Sequence, residues 1–493
     1  MITPNPKTQN IQIFFVDETN IKKIQNQKLI EDFDYKPNYG QILIDQSNHT
    51  ILIGLQLKKL KTVDRFYKVN YFELGAKLGN ELKKTKLNNF EINDFEGSKK
   101  EMVDFILGFN QAYYKFDKYI SKSKSITPKF VATKKIKSLL GESEVKYLEN
   151  INYYLNLARD LVMDTPEEVN PTSMPEIIEG ELTGLRNTNL EIFNAKKIDQ
   201  MGLNAISYVG RASRHEPKLI HAVLKPAKKN KKKLVLVGKG VTYDSGGYSI
   251  KPAEFMSTMK SDMAGSATMF AVFATLSKLE ILTNIELHWY SAFVENMIDG
   301  SGYKPDDVIT TLSGQTIEII NTDAEGRLTL CECLTLATLL DPDYIIDAAT
   351  LTGAAIRSHS EQIMPMMSND RDFQELVYQS FLENNEKAVI DELSEVHRED
   401  VLGTYTDLIN TAKTKYAGHI SAAGFLSHFV DQSYYKNTKI LDKKEPKAYP
   451  WVHLDIAGTA FNKKTNLLNY DGATGYGIRS LVDLIIKLDE SLN

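Results

Sequence analysis

Leu234-Val235-Leu236-Val237, running into Gly238-Lys239-Gly240-Val241-Thr242-Tyr243-Asp244-Ser245-Gly246-Gly247, is the stretch from which the fold class is read. An apolar run of this kind reads as a buried strand, and the glycine-dense segment after it as a turn carrying a lysine and a carboxylate. In a parallel α/β sheet, binding residues lie where a buried strand ends in such a turn. Glycine there lets backbone and ligand approach closely. Further strand candidates at 219–224, 286–293, 316–320 and 344–348 alternate with helix candidates at 264–279 and 327–340. The alternation predicts a central mixed sheet flanked by helices.

At 493 residues the chain is too long for one ordinary core. Strand-like alternation at 11–16 and 41–55, then a segment dense in Lys, Asn and Asp at 83–94, read as mixed α/β. A helical pattern from 142 to 163 ends in Asp164-Thr165-Pro166, where proline discourages continuation. The expected division is a smaller N-terminal α/β domain at 1–150, a connecting helix and linker at 151–168, and a larger C-terminal domain at 169–493. Hydrophobic content of 42% and charged content of 25% are those of a globular protein. A net charge of -5 gives no general attraction to nucleic acid or acidic membrane. The opening Met1-Ile2-Thr3-Pro4-Asn5-Pro6 lacks the pattern of a signal peptide and no apolar run has spanning length, so a cytoplasmic location is expected. Cys331 and Cys333, two apart on a predicted helix, do not face each other and read as reduced thiols.

Chemistry enters with Asn321-Thr322-Asp323-Ala324-Glu325-Gly326-Arg327-Leu328, two carboxylates and an arginine at alternate positions before an apolar helical run. In an extended segment, Asp323, Glu325 and Arg327 share one side of the chain, and a divalent cation can take both carboxylates. Asp262, ahead of Met263-Ala264-Gly265, reads equally as a helix N-cap or as a further ligand. Asp244, Asp262, Asp323 and Glu325 then form a hard donor set without His or Cys, suited to two ions of Zn, Mn or Mg. Two such cations lower the pKa of a shared water and polarise a scissile carbonyl. Lys251, just past Gly246-Gly247, is placed to donate to the developing oxyanion. Lys239 alone would read as a phosphate-binding or solvated lysine, because only a neutral amine coordinates a metal.

Together these residues resemble the leucyl aminopeptidases of the M17 metallopeptidase family, whose signature octet stands unbroken at 321–328. Lys239, Asp244, Lys251, Asp262, Asp323, Glu325 and Arg327 all agree with the family's spacing. The likeness runs from about Leu157 to Gly475, through Asp347-Ala348-Ala349-Thr350-Leu351-Thr352-Gly353-Ala354 and Trp451-Val452-His453-Leu454-Asp455-Ile456-Ala457-Gly458-Thr459. The resemblance implies two divalent metal ions per subunit, with Asp244 and Glu325 bridging both. Lys239 and Asp262 would complete one site, and Asp323 the other. It implies that the free amine of a peptide substrate binds one metal, which accounts for amino-terminal specificity. It further implies that Lys251 stabilises the oxyanion, that Arg327 holds a bicarbonate acting as proton shuttle, and that Met259, Thr350, Leu351 and Gly353 line the substrate pocket. The family's assembly is a cytoplasmic homohexamer.

Other readings are weaker on chemistry. The histidines show no ligand spacing such as His-Glu-x-x-His. Asp347, His453 and Asp455 suggest a serine-hydrolase triad, but no Gly-x-Ser-x-Gly elbow supplies a nucleophile. The basic run 225–233 reads as a solvated turn between strands, with DNA binding as the minor alternative. Gly238-Lys239-Gly240 lacks the Walker pattern of a nucleotide-binding enzyme. Three places depart from the family. Arg357-Ser358-His359-Ser360 is polar where small apolar residues are usual, the segment from Asp391 to His397 is unusually acidic, and Tyr476-Gly477 stands where an Arg-Pro pair is common. These departures bear on specificity more than on chemistry, and they leave a preference other than leucine open within the leucyl aminopeptidase resemblance.

Overall fold

The computed structural model describes residues 11–24, 27–47, 49–56, 69–85, 87, 89–92, 95–121, 129–132, 134–228, 232–442, 444–464 and 471–492. The opening residues 1–6, residues 86, 88, 93 and 94 of the charged segment, and residues 229–231 of the basic run lie outside them. The chain forms two compact units, Met1–Tyr153 with Lys464–Asp471, and Tyr154–Lys463 with Gly472–Asn493.

In the first unit, Ile11–Val16 alternates buried and half-buried side chains, as a strand with one face on a core must. It is the middle strand of five, between Thr50–Gly54 and Asn89–Ile92, with Ile42–Asp45 and Lys129–Ala132 at the edges. Only the pairing of Ile42–Asp45 with Thr50–Gly54 is antiparallel. Helix Tyr71–Leu82 starts where the Asn70 side chain accepts from Glu73 N, and helix Lys99–Tyr113 starts at a capping box of Ser98 and Glu101. The long helix Lys134–Met163 is broken at Gly141, whose φ of 75° and ψ of 169° are not helical. The unbroken part therefore begins at 142, where the sequence pattern begins.

The second unit is built on an eight-stranded mixed sheet in the order Ala388–Ile390, Met364–Ser368, Trp451–Asp455, Tyr344–Ala349, Lys232–Asp244, Ile285–Asn296, Lys218–Leu224, Thr188–Phe193. The four strands from Trp451–Asp455 to Ile285–Asn296 run parallel, with antiparallel neighbours on both sides. Helices Ala264–Leu279 and Gly326–Leu339 are buried around nearly their whole circumference, which marks them as core helices. Strand periodicity puts them on opposite faces of Lys232–Asp244. A Cβ on Gly238 would come within 2.6 Å of Ser266 Cα on the first helix, and one on Gly326 of the second helix would come within 2.4 Å of the Lys239 side chain. Buried apolar side chains from each layer contribute about 1.5–3 kcal/mol apiece relative to exposure.

Two expectations need correcting. Gly238-Lys239-Gly240 is not a turn, because the strand continues to Asp244 and the turn starts at Ser245. Gly238 is small because a helix crosses there, not because the chain bends. Residues 316–320 do not join the main sheet: Thr316–Glu318 pairs with Val308–Thr310 and Leu408–Ile409 in a separate three-stranded sheet. A short apolar run does not reveal which sheet it joins.

Cys331 and Cys333 are free and buried. At the end of the basic run, Lys232 and Lys233 open the strand Lys232–Asp244, where Lys232 pairs with Asp343 at 2.8 Å and the Lys233 ammonium donates to Leu340 O at 2.6 Å. Among the described residues no helix is long and apolar enough to cross a membrane.

Candidate active site

Lys232–Asp244 delivers two functional side chains to the carboxyl end of the parallel strands, the end at which open α/β sheets bind their ligands. Lys239 Nζ lies 2.7 Å from Asp262 Oδ1 and 2.9 Å from Glu325 Oε1, and donates to Thr350 O at 2.9 Å. Lys251 Nζ lies 2.7 Å from Asp244 Oδ2 and 2.6 Å from Asp323 Oδ1. Carboxylate oxygens of Asp244, Asp323 and Glu325 all fall within 4.8 Å of one another. Four carboxylates thus face two lysines, a formal excess of two negative charges were all four ionised, in a largely buried cluster.

The turn after the strand fixes half of this geometry. Gly246 has φ +89°, and a Cβ there would sit 2.6 Å from Ser249 O and 2.9 Å from Asp323 Oδ1, so only glycine fits. Gly246 N and Asn296 Nδ2 both donate to Asp244 Oδ1 at 2.8 Å, aiming the carboxylate. Thr322 Oγ1 donates to Gly246 O at 2.6 Å and accepts from Ser249 N at 2.8 Å, which stitches the turn to the Asp323 loop. That loop is held from behind. Tyr303 Oη donates to Thr322 O at 2.7 Å, and the Asn410 side chain accepts from Ile320 N and donates to Asn321 O.

Asp323 and Glu325 converge, but not through an extended segment. Residues 322–323 form a turn, and Glu325, with φ −77° and ψ −35°, opens the helix Gly326–Leu339. Arg327 is consequently inside the helix and buried, with its guanidinium carbon 6.0 Å from the Phe425 ring centre and its Nε unpartnered. Burial brings its pKa down to about 10, against the opposing pull of Glu325 and Asp455. Asp262 is not an N-cap. It sits in the 3-10 turn Met259–Met263 and accepts from Thr350 Oγ1 at 2.9 Å, while the helix that follows has Met263 at its cap and no side-chain capping bond.

Of the expected pocket residues, Thr350 touches both Lys239 and Asp262. Leu351 N donates to Asp455 Oδ1 at 3.2 Å, Thr352 Oγ1 donates to Asp455 Oδ2 at 2.7 Å, and Gly353 opens the helix Gly353–His359. Met259 is half-buried at the start of the turn that carries Asp262. Asp455 is therefore a site-supporting residue rather than a triad member. Asp347 and His453 do pair at 2.6 Å, but the second carboxylate oxygen is taken by Trp451 Nε1, the group is fully buried, and the contacts include no serine. Asn296, Tyr303, Thr322 and Asn410 escaped the sequence reading. Only the polar Asn321-Thr322 pair at the octet's start hinted at them.

The donor set fits cations. Asp262 Oδ2 and Glu325 Oε2 are buried without hydrogen-bond partners, an expensive arrangement unless something positive meets them. Burial and the Glu325 charge push the Asp244 pKa up to about 7 against the pull of Lys251 and Lys239, and burial raises Asp262 and Asp323 as well. Burial works against the charge on Lys239 and Lys251, yet the surrounding carboxylates prevail and hold both above the usual lysine value. Glu325 stays below its usual value, the two lysines overcoming its burial. Crowded carboxylates of this kind resist full ionisation until cations arrive.

An α/β enzyme whose sheet ends in a cluster of hard oxygen donors falls in the class of metal-dependent enzymes. The model of the cytosol aminopeptidase family, catalytic domain, matches residues 156–482. A probable cytosol aminopeptidase of Campylobacter jejuni is 34% identical over 492 residues, covering 97% of this chain and 96% of that one. Another from Persephonella marina is 32% identical over 459 residues, covering 92% and 87%. The chain belongs to the cytosol aminopeptidase family, M17, and is a metal-dependent aminopeptidase, a metallo-exopeptidase acting on peptides. The crystal structure of cytosol aminopeptidase from Coxiella burnetii superposes with a TM-score of 0.81 at 26% identity, covering 98% of each chain. The bottromycin maturation enzyme BotP in complex with Mn superposes at 0.79 with 22% identity, covering 97% of this chain and 98% of that one, a likeness of fold alone.

Proposed function

We propose that this chain releases amino-terminal residues from peptides with two divalent cations, of Zn, Mn or Mg, held by Lys239, Asp244, Asp262, Asp323 and Glu325. The observation that carries the reading is the convergence of the Asp244, Asp323 and Glu325 oxygens beside the unpartnered oxygens of Asp262 and Glu325. Asp244 and Glu325 would serve both ions, Lys239 and Asp262 would complete one site, and Asp323 the other. When bound, such a pair supplies a water of lowered pKa and polarises the scissile carbonyl.

The remaining work falls to the chain itself. Lys251 is an ammonium at the edge of the cluster, and its donors are available to an oxyanion once cations take over Asp244 and Asp323. Arg327, buried with an unpartnered Nε, suits a small anion such as bicarbonate in the role of proton carrier. Met259 and Thr350–Gly353 would line the substrate side, with Asp455 fixing Leu351 and Thr352. The larger domain, 169–493, would carry the activity within a cytoplasmic homohexamer.

Lys239 tests the allocation. As an ammonium it satisfies the carboxylates, and as a ligand it must shed its proton, which nearby dications favour. Lys239→Arg keeps the charge but cannot offer a neutral nitrogen. Metal titration of this variant should show one tight and one weak ion. Wild-type affinity at both, with full activity, would make Lys239 only a charged neighbour.

A further inference from the structure

Outside the carboxylate cluster, three ligand-type side chains meet at one point. His359 Nε2 lies 2.9 Å and His419 Nε2 2.8 Å from the same oxygen, Asp391 Oδ2. The three atoms fall within 4.8 Å of one another. The two rings are 5.4 Å apart and nearly perpendicular at 83°, so their Nε2 atoms approach the carboxylate from different directions. Each residue comes from a different element. His359 ends the helix Gly353–His359, Asp391 directly follows the strand Ala388–Ile390 and is held by its N–H on Met366 O, and His419 is in the first turn of the helix Gly418–Ser427.

We propose that His359, Asp391 and His419 form a further metal site, separate from the catalytic cluster, for a divalent transition ion such as zinc. Two imidazoles and one carboxylate are a borderline donor set, unlike the hard oxygen-rich set at Asp244, Asp323 and Glu325. The His419 side chain is 5% exposed, whereas those of His359 and Asp391 are 20% and 18% exposed, which leaves room for entry and for a water in an open position. The bound ion would clasp the far end of the helix whose first residue, Gly353, follows the Thr350–Thr352 loop at the catalytic cluster. Its role is to hold that helix against Gly418–Ser427, and it takes no part in bond cleavage.

X-ray absorption separates this site from the first one, because no catalytic-cluster ligand is an imidazole. Metal-stripped full-length protein loaded with zinc alone should show imidazole scattering. The variants His359→Gln and Asp391→Asn should each lose that signature and about one zinc per chain, with zinc at the catalytic cluster retained. Absence of imidazole scattering in the loaded wild type overturns the proposal, as does an unchanged signature and zinc content in both variants. Either result would leave the histidines as hydrogen-bond donors to Asp391. If a variant fails to fold, the wild-type spectrum is compared with that of His221→Gln, which breaks the other paired imidazoles, His221 and His288. Persistence of the signature in His221→Gln supports the site, and its loss overturns it. Failure of the catalytic allocation would instead appear as loss of oxygen-coordinated zinc, with imidazole scattering intact.

Discussion

Asp323→Ala and Glu325→Ala each lower peptide hydrolysis on the order of 10⁴-fold or more, the scale on which members of a catalytic unit fail, and each lowers metal content. The fold survives both changes. Asp323 has a side chain 32% exposed, on a loop held by Thr322, Asn410 and Tyr303 and not by its own carboxylate. Glu325 caps its helix through its main-chain carbonyl, which accepts from Leu328 and Thr329 and is unchanged in alanine. Lys239 keeps Asp262 and Thr350 O as partners when Glu325 is removed. Circular dichroism should therefore stay native while bound metal falls. Near-normal turnover in both variants would sink the two-metal reading.

Lys251→Ala should reduce turnover by roughly two to three orders of magnitude, the cost of one lost oxyanion donor, without loss of metal. The Lys251 side chain touches only Asp244 and Asp323 among the carboxylates, and removing a cation from beside them makes the cluster more attractive to metal. Its main chain stays anchored by Lys251 N on Ser245 O. Kinetics and metal analysis on the same sample decide the matter. A variant that loses metal in proportion to activity shows that Lys251 supports the site and does not act on substrate.

The candidate site residues were legible because their types are costly to bury and were packed into short motifs. Asp323 and Glu325 could be singled out from residue type and spacing, and Lys239 only through the family resemblance. Their local geometry could not, since alternate spacing fits an extended segment as well as a turn leading into a helix, and helix Gly326–Leu339 won through its burial against the sheet. Asp262 was ambiguous because an aspartate before an apolar helix is what a cap looks like. Its real partner, Lys239, is 23 residues away. Asn296, Tyr303, Asn410 and Asp455 act only through contacts made after folding, so no spacing announced them. His359 and Asp391 looked like departures from a pattern, and His419 like one more histidine without ligand spacing, until three elements brought them together.

Hydrolysis of matched aminoacyl amides, with free and with acetylated amino termini, by metal-stripped and metal-restored protein tests the central claim most directly. The expected result is no activity after stripping, recovery with zinc or manganese, and cleavage only of substrates with a free amine. Full activity in the stripped protein, or comparable cleavage of the acetylated series, contradicts a metal-dependent aminopeptidase built on Asp244, Asp323 and Glu325.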